Sequence, residues 1–384
     1  MKCLNFAPCS HEWIELIAGL VAGLLAQTAW AAAPCTAATP ACTEWIALES
    51  PMRALVYRSH GLADHNENIT RAVVIVHGGS RDPHNNFRHV LAAAFLANAL
   101  DDTVIVAPRF ASNEENAAAQ ATGENAVAAA RSAARDTLAA NELNWISQFG
   151  GRHWNAGGVA INAKVTSYEV IDEIMRKLAR RDVFPNLKSI VVAGHSSGGQ
   201  FVSRYAMVNR VHADLGVGIS YIVSNPGAYT YLDGQRPTAS AIPANVAASV
   251  PGFISLGSAK PPPPFVRYAD ARNCTTYDAW PYGMQNRVGY SAQFTDEQLK
   301  KQIVGRPTTY VLGELDILPL VNFDISCAAT AQGASRLARG MAFGKYIREN
   351  FGAPHKTVVV EGCGYNTRCM LTAEPMLPLL FPPE

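Results

Sequence analysis

Charged side chains are scarce in this sequence, and the few that it has nearly cancel. They make up 16% of the 384 residues and leave a formal net charge of +1, without a run of lysines and arginines. Proteins that bind nucleic acids neutralise phosphates with clustered basic residues, so this distribution argues against a nucleic-acid partner. With 48% hydrophobic residues, the composition indicates a well-buried globular protein and not a disordered chain.

The sequence also lacks the motifs of common metal sites. It contains no Cys-x-x-Cys pair and no His-Glu-x-x-His motif, which are spacings at which zinc ligands recur. We therefore expect neither a metal nor a cofactor.

The amino-terminal apolar run is too short for a comfortable membrane span. It covers residues 16–26, follows Lys2, and precedes the small-x-small sequence Ala29-Trp30-Ala31. This order is typical of a secretory signal peptide. We expect residues 1–31 to be a signal peptide and residues 32–384 to form a secreted or periplasmic domain. Because the segment before the run is long and carries acidic residues, a retained membrane anchor stays open as the alternative.

Cysteines that follow this leader are even in number, which in an exported protein predicts disulfides. Spacing favours the first two and the last two as pairs and leaves the middle two as the third pair. Six cysteines allow fifteen connectivities, so this pairing is a preference among them. The six residues are Cys35, Cys42, Cys274, Cys327, Cys363 and Cys369.

Residues 190–201 are the most informative stretch, since they predict a buried strand, a sharp turn and the start of a helix. Apolar β-branched residues lead into Gly194-His195-Ser196-Ser197-Gly198, and apolar residues follow at helical spacing. A Gly-x-Ser-x-Gly turn in this context holds its serine in a strained conformation with the hydroxyl exposed. We therefore predict that Ser196 has a positive φ and acts as a nucleophile. The alternative is a glycine-rich turn with a structural serine.

Strand-like and helix-like segments alternate through the rest of the chain. This alternation predicts a mostly parallel central sheet with helices on both faces, and ligands then bind at the carboxyl ends of the strands. A segment rich in Pro, Tyr and Trp at 227–304 interrupts the order, so we expect an irregular cap insertion there. Strands are predicted at 52–59, 71–76, 103–107, 190–194, 219–223, 309–312 and 356–360, and helices at 87–100, 126–140, 166–178 and 334–350.

The arrangement resembles the α/β-hydrolase superfamily, in particular its secreted esterase-like members, from about residue 53 to the carboxyl terminus. The resemblance rests on the His77-Gly78-Gly79 loop, the elbow around Ser196 and an acid after the penultimate strand. It implies an α/β-hydrolase fold with Ser196 as nucleophile and Asp316 as acid. It also implies that Gly79 and Ser197 supply the backbone N–H groups that bind the oxyanion. Glu314 and Asp324 are further candidates for the acid.

A histidine after the last strand, which this superfamily uses as its base, is missing. Tyr365 stands in that loop, and His355 precedes the strand, roughly 17–20 Å away at ~3.3 Å per extended residue. A phenol is a poor base because its unperturbed pKa is about 10. His77 and His84, on or near the oxyanion loop, are alternative bases. We expect Tyr365 to lie near Ser196 and to donate a hydrogen bond to Asp316.

Two interpretations of function follow from these residues. In the first, a secreted serine hydrolase transfers the acyl group of a carboxylic ester to Ser196 and then hydrolyses the acyl-enzyme. In the second, a pseudohydrolase binds a small ligand in the same cleft without turning it over. Both predict an ester-like small molecule as partner, no nucleic acid, and no membrane beyond the leader.

Overall fold

The computed structural model describes residues 33–113, 136–147, 151–238, 264–319 and 323–383. All of them belong to one of the two units of the chain, Ala33–Glu384. The predicted signal peptide and most of the helix predicted at 126–140 lie outside the described residues. Within the described ranges, no helix combines the length and the apolar character needed to cross a membrane.

A central eight-stranded sheet forms from the runs of β-branched residues, which favour extended backbone. Its order is β1-β2-β4-β3-β5-β6-β9-β10. The first two strands run antiparallel to their neighbours, and all the other neighbours are parallel. The strands are β1 (Thr43–Ala47), β2 (Arg53–Arg58), β3 (Arg71–Val76), β4 (Thr103–Pro108), β5 (Ser189–His195), β6 (Gly218–Ser224), β9 (Thr308–Gly313) and β10 (Lys356–Val360), with β7 (Gln235–Pro237) and β8 (Phe265–Arg267) in a separate antiparallel pair.

Helices cover both faces of the sheet. The second helix begins with a capping box, in which Thr166 and Glu169 each accept a hydrogen bond from the other's backbone N–H. The helices are α1 (Pro83–Leu96), α2 (Ser167–Leu178), α3 (Ser197–Val208), α4 (Asp296–Gly305), α5 (Cys327–Thr330), α6 (Arg336–Phe351), α7 (Thr367–Thr372) and α8 (Leu377–Leu380).

Alternate residues of the central strands enter two different hydrophobic cores. In β3, Val74 and Val76 belong to the larger core, which includes residues of α2, α3, α4 and α6. Val73 and Ile75 belong to the smaller core, under α1, α7 and α8. This period of two is the reason why the strand reads as continuously apolar. The architecture is the predicted α/β-hydrolase fold.

The segment predicted as a cap, 227–304, contains more regular structure than its composition indicates. Its described parts hold the β7–β8 pair and nearly all of α4. Leu299 and Ile303 of α4 are buried one turn apart and join the larger core. The carboxyl end of the segment is therefore a crossover helix between β6 and β9, while the cap itself stays a prediction.

Three disulfides join the cysteines in the pairs that spacing favours. The pairs are Cys35–Cys42, Cys274–Cys327 and Cys363–Cys369, with Cα atoms 5.7, 5.7 and 5.8 Å apart. The last of them closes the loop that carries Tyr365.

Candidate active site

Ser196 lies at the sharp turn between β5 and α3. Its φ of 61° and ψ of −122° confirm the predicted positive φ, a region that side-chain-bearing residues avoid. Glycines on either side make the turn possible. A Cβ on Gly194 would collide with the carbonyl of Gly198, and one on Gly198 would collide with the carbonyl of Val76.

The loop after β3 passes directly beside the serine. A Cβ on Gly78 would lie 3.6 Å from Cβ and 3.9 Å from Oγ of Ser196. Ser197 is the first residue of α3, so its N–H is one of the donors that have no acceptor within the helix. The predicted oxyanion donors are Gly79 and Ser197. Gly79 follows Gly78, which lies beside the serine, and Ser197 follows Ser196 itself.

His77 supports this loop, and both of its ring nitrogens bond to the backbone. Its Nδ1 donates to the carbonyl of Gly78 at 2.8 Å, and its Nε2 accepts from the N–H of Phe110 at 2.9 Å. Burial lowers its pKa to about 4, so the ring is neutral near pH 7. Both nitrogens are therefore engaged by the backbone, which leaves neither of them for Ser196.

His84, the other alternative base, lies on α1 with its ring 6.4 Å from that of Tyr57. Among the described residues, neither His84 nor His77 forms a hydrogen bond with Ser196. His355 is held at the opposite edge of the sheet, between the hydroxyl of Tyr310 (2.9 Å) and the carbonyl of Ile303 (2.8 Å).

Tyr365 is the side chain that reaches the serine, because its hydroxyl and Ser196 Oγ share a hydrogen bond. The loop around it is tied to the residues that follow β9 and β6. Leu315 N–H donates to the carbonyl of Cys363 at 2.9 Å, and Asn225 Nδ2 donates to the carbonyl of Gly364 at 3.3 Å. Burial raises the pKa of Tyr365, and the positive charge of Arg336 opposes this effect.

Asp316 does not accept a hydrogen bond from Tyr365, contrary to the sequence-based expectation. Its Oδ1 accepts instead from Arg336 Nη1 at 3.3 Å, and the two side chains are only 2% and 1% exposed. The guanidinium carbon of Arg336 lies 3.7 Å from the centre of the Tyr365 ring. Arg336 therefore contacts both Asp316 and Tyr365, the residues between which a direct bond was expected.

The carboxyl group of Asp316 is partly unsatisfied. Its Oδ2 is buried without a hydrogen-bond partner among the described residues. Burial raises the pKa of Asp316 to about 6, against the opposing effect of the Arg336 charge. The acid is therefore ionised at pH 7 and loses its charge in moderately acidic solution.

Glu314 and Asp324, the other acid candidates, have different partners. Glu314 accepts from the N–H of Gly362 at 2.9 Å. Asp324 accepts from the hydroxyl of Tyr282 at 2.7 Å and from the N–H of Ser326 at 3.0 Å. Of the three acids, Asp316 is the one that pairs with the arginine on Tyr365.

His195 is a further site residue that the sequence analysis did not single out. Its ring lies 5.1 Å from that of Tyr365, and its Nδ1 shares a hydrogen bond of 3.0 Å with the hydroxyl of Thr367. Its Nε2 is buried without a partner in the described part of the chain. Burial, with the charge of Arg336, lowers its pKa to about 3. The ring is neutral near pH 7.

Arg336 had one signal in the sequence that could have identified it. It is the first residue of α6, after the N-cap Ser335. A cation is unfavourable at this end of a helix, where the macrodipole is positive. An arginine at such a position, next to a predicted active-site edge, points to a role outside the helix.

Comparisons with solved structures support the fold. A poly(3-hydroxybutyrate) depolymerase from Bordetella parapertussis is 18% identical, covers 87% of this chain and 85% of its own, and has a TM-score of 0.51. A poly(aspartic acid) hydrolase from Sphingomonas sp. KT-1 is 16% identical, covers 88% and 97%, and has a TM-score of 0.53. No family model and no curated protein matches the chain. At these identities the similarity shows the α/β-hydrolase fold alone.

Proposed function

We propose that this protein is a secreted serine hydrolase that cleaves carboxylic esters through an acyl-enzyme on Ser196. One observation carries the proposal: a serine at a positive-φ elbow has its hydroxyl hydrogen-bonded to an ionisable side chain, Tyr365. A nucleophile in contact with its proton acceptor is the core of covalent acyl transfer. Three disulfides support an exported location.

The proposed reaction starts from ionised Tyr365. The phenolate accepts the proton of Ser196 while Oγ bonds to the ester carbonyl carbon, whose oxygen becomes negative. In the proposed reaction, the N–H groups of Gly79 and Ser197 stabilise that charge. The bond to the alcohol oxygen then breaks, and this oxygen takes the proton from Tyr365. Water gives a proton to the phenolate and attacks the acyl-enzyme, and Ser196 recovers its proton as the acid is released.

The names of the two structural neighbours agree with hydrolysis as the reaction class, since one is a depolymerase and the other a hydrolase. Leu315 adds an observation from this chain. Its side chain is 39% exposed next to the Tyr365 loop, where a Cβ on Gly364 would lie 3.6 Å from it. We propose that Leu315, next to the loop that carries Tyr365, contacts an apolar group of the ester.

A second candidate function is ligand binding without turnover. It is favoured by the raised pKa of Tyr365, because a phenol is not a base, and little phenolate exists near neutral pH. In this case the cleft retains the fold of a hydrolase but releases its ligand unchanged.

A fluorophosphonate probe distinguishes the two functions, because it labels only an activated serine. We expect the wild type to be labelled, faster at alkaline pH, and Ser196→Ala to be unlabelled. Ser203→Ala removes another buried serine of the same helix, α3, and should be labelled like the wild type. A wild type that is neither labelled nor able to hydrolyse p-nitrophenyl esters at alkaline pH would instead support the ligand-binding function.

A further inference from the structure

Arg336 is buried between two residues of the candidate site. Its guanidinium is buried between Asp316 and the face of the Tyr365 ring, with contacts of 3.3 Å and 3.7 Å. It begins α6 at the end where a helix disfavours a cation. The guanidinium carbon also lies 5.2 Å from the centre of the Phe323 ring, which is farther than its contact with the Tyr365 ring.

We propose that Arg336 is a positioning residue, which holds Tyr365 against Ser196 and compensates the negative charge of the ionised tyrosine. The proposal rests on the proposed function. In a catalytic triad the acid bonds directly to the imidazole base. Here the guanidinium of Arg336 connects the acid, Asp316, to the proposed base, Tyr365. Asp316 then acts on the serine indirectly, because it orients Arg336 and Arg336 orients Tyr365.

The geometry explains why a guanidinium serves this purpose. A planar cation lies over an aromatic face and at the same time donates to a carboxylate at its edge. Ionisation of the phenol increases the negative charge of the ring and so strengthens its attraction to the cation. The proton that leaves Ser196 ends on Tyr365, and Arg336 remains protonated throughout, so no proton is gained or lost in the link.

The other groups around Tyr365 either oppose its ionisation or carry no charge near pH 7. Asp316, after β9, is a like charge and opposes ionisation of the phenol. His195, at the end of β5, is neutral near pH 7 because burial and Arg336 lower its pKa. Thr367 of α7 bonds His195 and is uncharged. Arg336 is thus the group that favours the ionised form electrostatically, and the hydrogen bond from Ser196 adds to it.

The opposite signs of Arg336 and Asp316 make the test specific. A ring-fluorinated tyrosine placed at position 365 reports its own ionisation by fluorine NMR, without substrate. We expect Arg336→Met to move the ionisation midpoint upward by about one pH unit or more, and Asp316→Asn to move it downward. Loss of packing alone would move both midpoints in the same direction.

A second comparison serves if Arg336→Met fails to fold with an unpaired buried carboxylate. The double variant Arg336→Met/Asp316→Asn has no buried charge at either position, and its midpoint should lie above that of Asp316→Asn. Equal midpoints in these two proteins would overturn the proposal. Arg336→Lys should recover part of the lowered midpoint, because it restores a cation without the planar contact.

The same titration separates this inference from the proposed function. If fluorophosphonate does not label the wild type, the hydrolase function fails, yet the midpoints still decide whether Arg336 controls Tyr365. If labelling succeeds and the midpoints do not depend on Arg336, the hydrolase function stands and the positioning role is wrong.

Discussion

Ser196 and Tyr365 meet in the candidate site, but the chain builds their surroundings in different ways. The Ser196 side is one continuous stretch, in which β5, the elbow and α3 follow each other without a break. The Tyr365 side combines three separate segments: Asp316 after β9, Arg336 at the start of α6 and Tyr365 after β10. Backbone hydrogen bonds and side-chain contacts together join these segments, whereas backbone sterics fix the elbow.

This difference has a consequence for how each side responds to change. At the elbow, a Cβ atom at position 194 or 198 would collide with backbone atoms. Substitution of either glycine should therefore damage the fold itself. On the Tyr365 side, the contacts are made by side chains that can be exchanged while the backbone persists. We therefore expect elbow variants to lose stability and Tyr365-side variants to change reactivity.

Gly194→Ala should give the largest effect. Its Cβ would collide with the Gly198 carbonyl and would crowd the N–H of Gly199 at 3.0 Å, both of which are backbone and cannot rotate away. We expect a loss of roughly 4 kcal/mol or more in the free energy of unfolding, measured by urea denaturation. Gly305→Ala, at the end of α4, is the control, because a Cβ there meets no atom within 4 Å. Equal stabilities of the two variants would contradict a sterically fixed elbow.

The disulfides should separate stability from reactivity. Cys274→Ala/Cys327→Ala removes a disulfide between residues 53 positions apart. In the loop-entropy model it should lower the free energy of unfolding by about 4 kcal/mol. Cys363→Ala/Cys369→Ala removes one between residues 6 positions apart and should lower it by about 2 kcal/mol. Labelling of Ser196 by fluorophosphonate should show the reverse order, since only the second pair closes the Tyr365 loop. If labelling falls in proportion to stability in both variants, the loop closure has no separate effect on the site.

Much of the fold could be predicted from the sequence because its signals are local. Buried parallel strands are continuous apolar runs, and β10 spans the predicted residues 356–360. The helix predicted at 166–178 is α2, whose start is fixed by the local capping box of Thr166 and Glu169. α4 was missed because only Leu299 and Ile303 are buried in it, which is too few for a clear helical period. β1 and the short α7 were missed as well.

The Ser196 side of the site could be predicted in full, and the Tyr365 side in part. Tyr365 lies beside Ser196 as expected, but its contact with Arg336 was not predicted. The positive φ of Ser196 follows from a five-residue motif, so the sequence contains all that is needed. The contact between Arg336 and Tyr365 joins residues 29 positions apart in sequence, and it depends on how α6 packs beside the end of β10. The sequence alone shows that the histidine is missing. It does not show how α6 packs, and so it does not show which guanidinium contacts Tyr365.

Tyr365→His tests whether the side chain at position 365 can be replaced without damage to the elbow. An imidazole titrates near neutrality, and the nearby Arg336 charge keeps it unprotonated, so it can serve as a base at pH 7. We expect kcat/KM for a short-chain p-nitrophenyl ester to rise about 10²-fold at pH 7. Tyr365→His/Ser196→Ala should abolish the gain. An unchanged rate in the single variant would mean that position 365 does not supply the base.

The pH dependence of the wild type needs no substitution and is the most direct measure of the Tyr365 side. Because burial raises the pKa of Tyr365 above its ordinary value of about 10, the phenolate fraction grows with pH throughout the range in which the protein is assayed. We expect kcat/KM to rise about tenfold per pH unit between about pH 7 and pH 9.

Tyr365→His supplies the matched comparison, because its rate should level off above about pH 7 once the imidazole is neutral. Below about pH 6 Asp316 becomes protonated and no longer holds Arg336 in an ion pair. We expect this loss of orientation to outweigh the removal of a like charge from the site, so both proteins should lose further activity. A wild-type profile that levels off near neutrality would require a base with the pKa of a histidine. Such a profile would remove Tyr365 from the reaction, and with it the role proposed for Arg336 in catalysis.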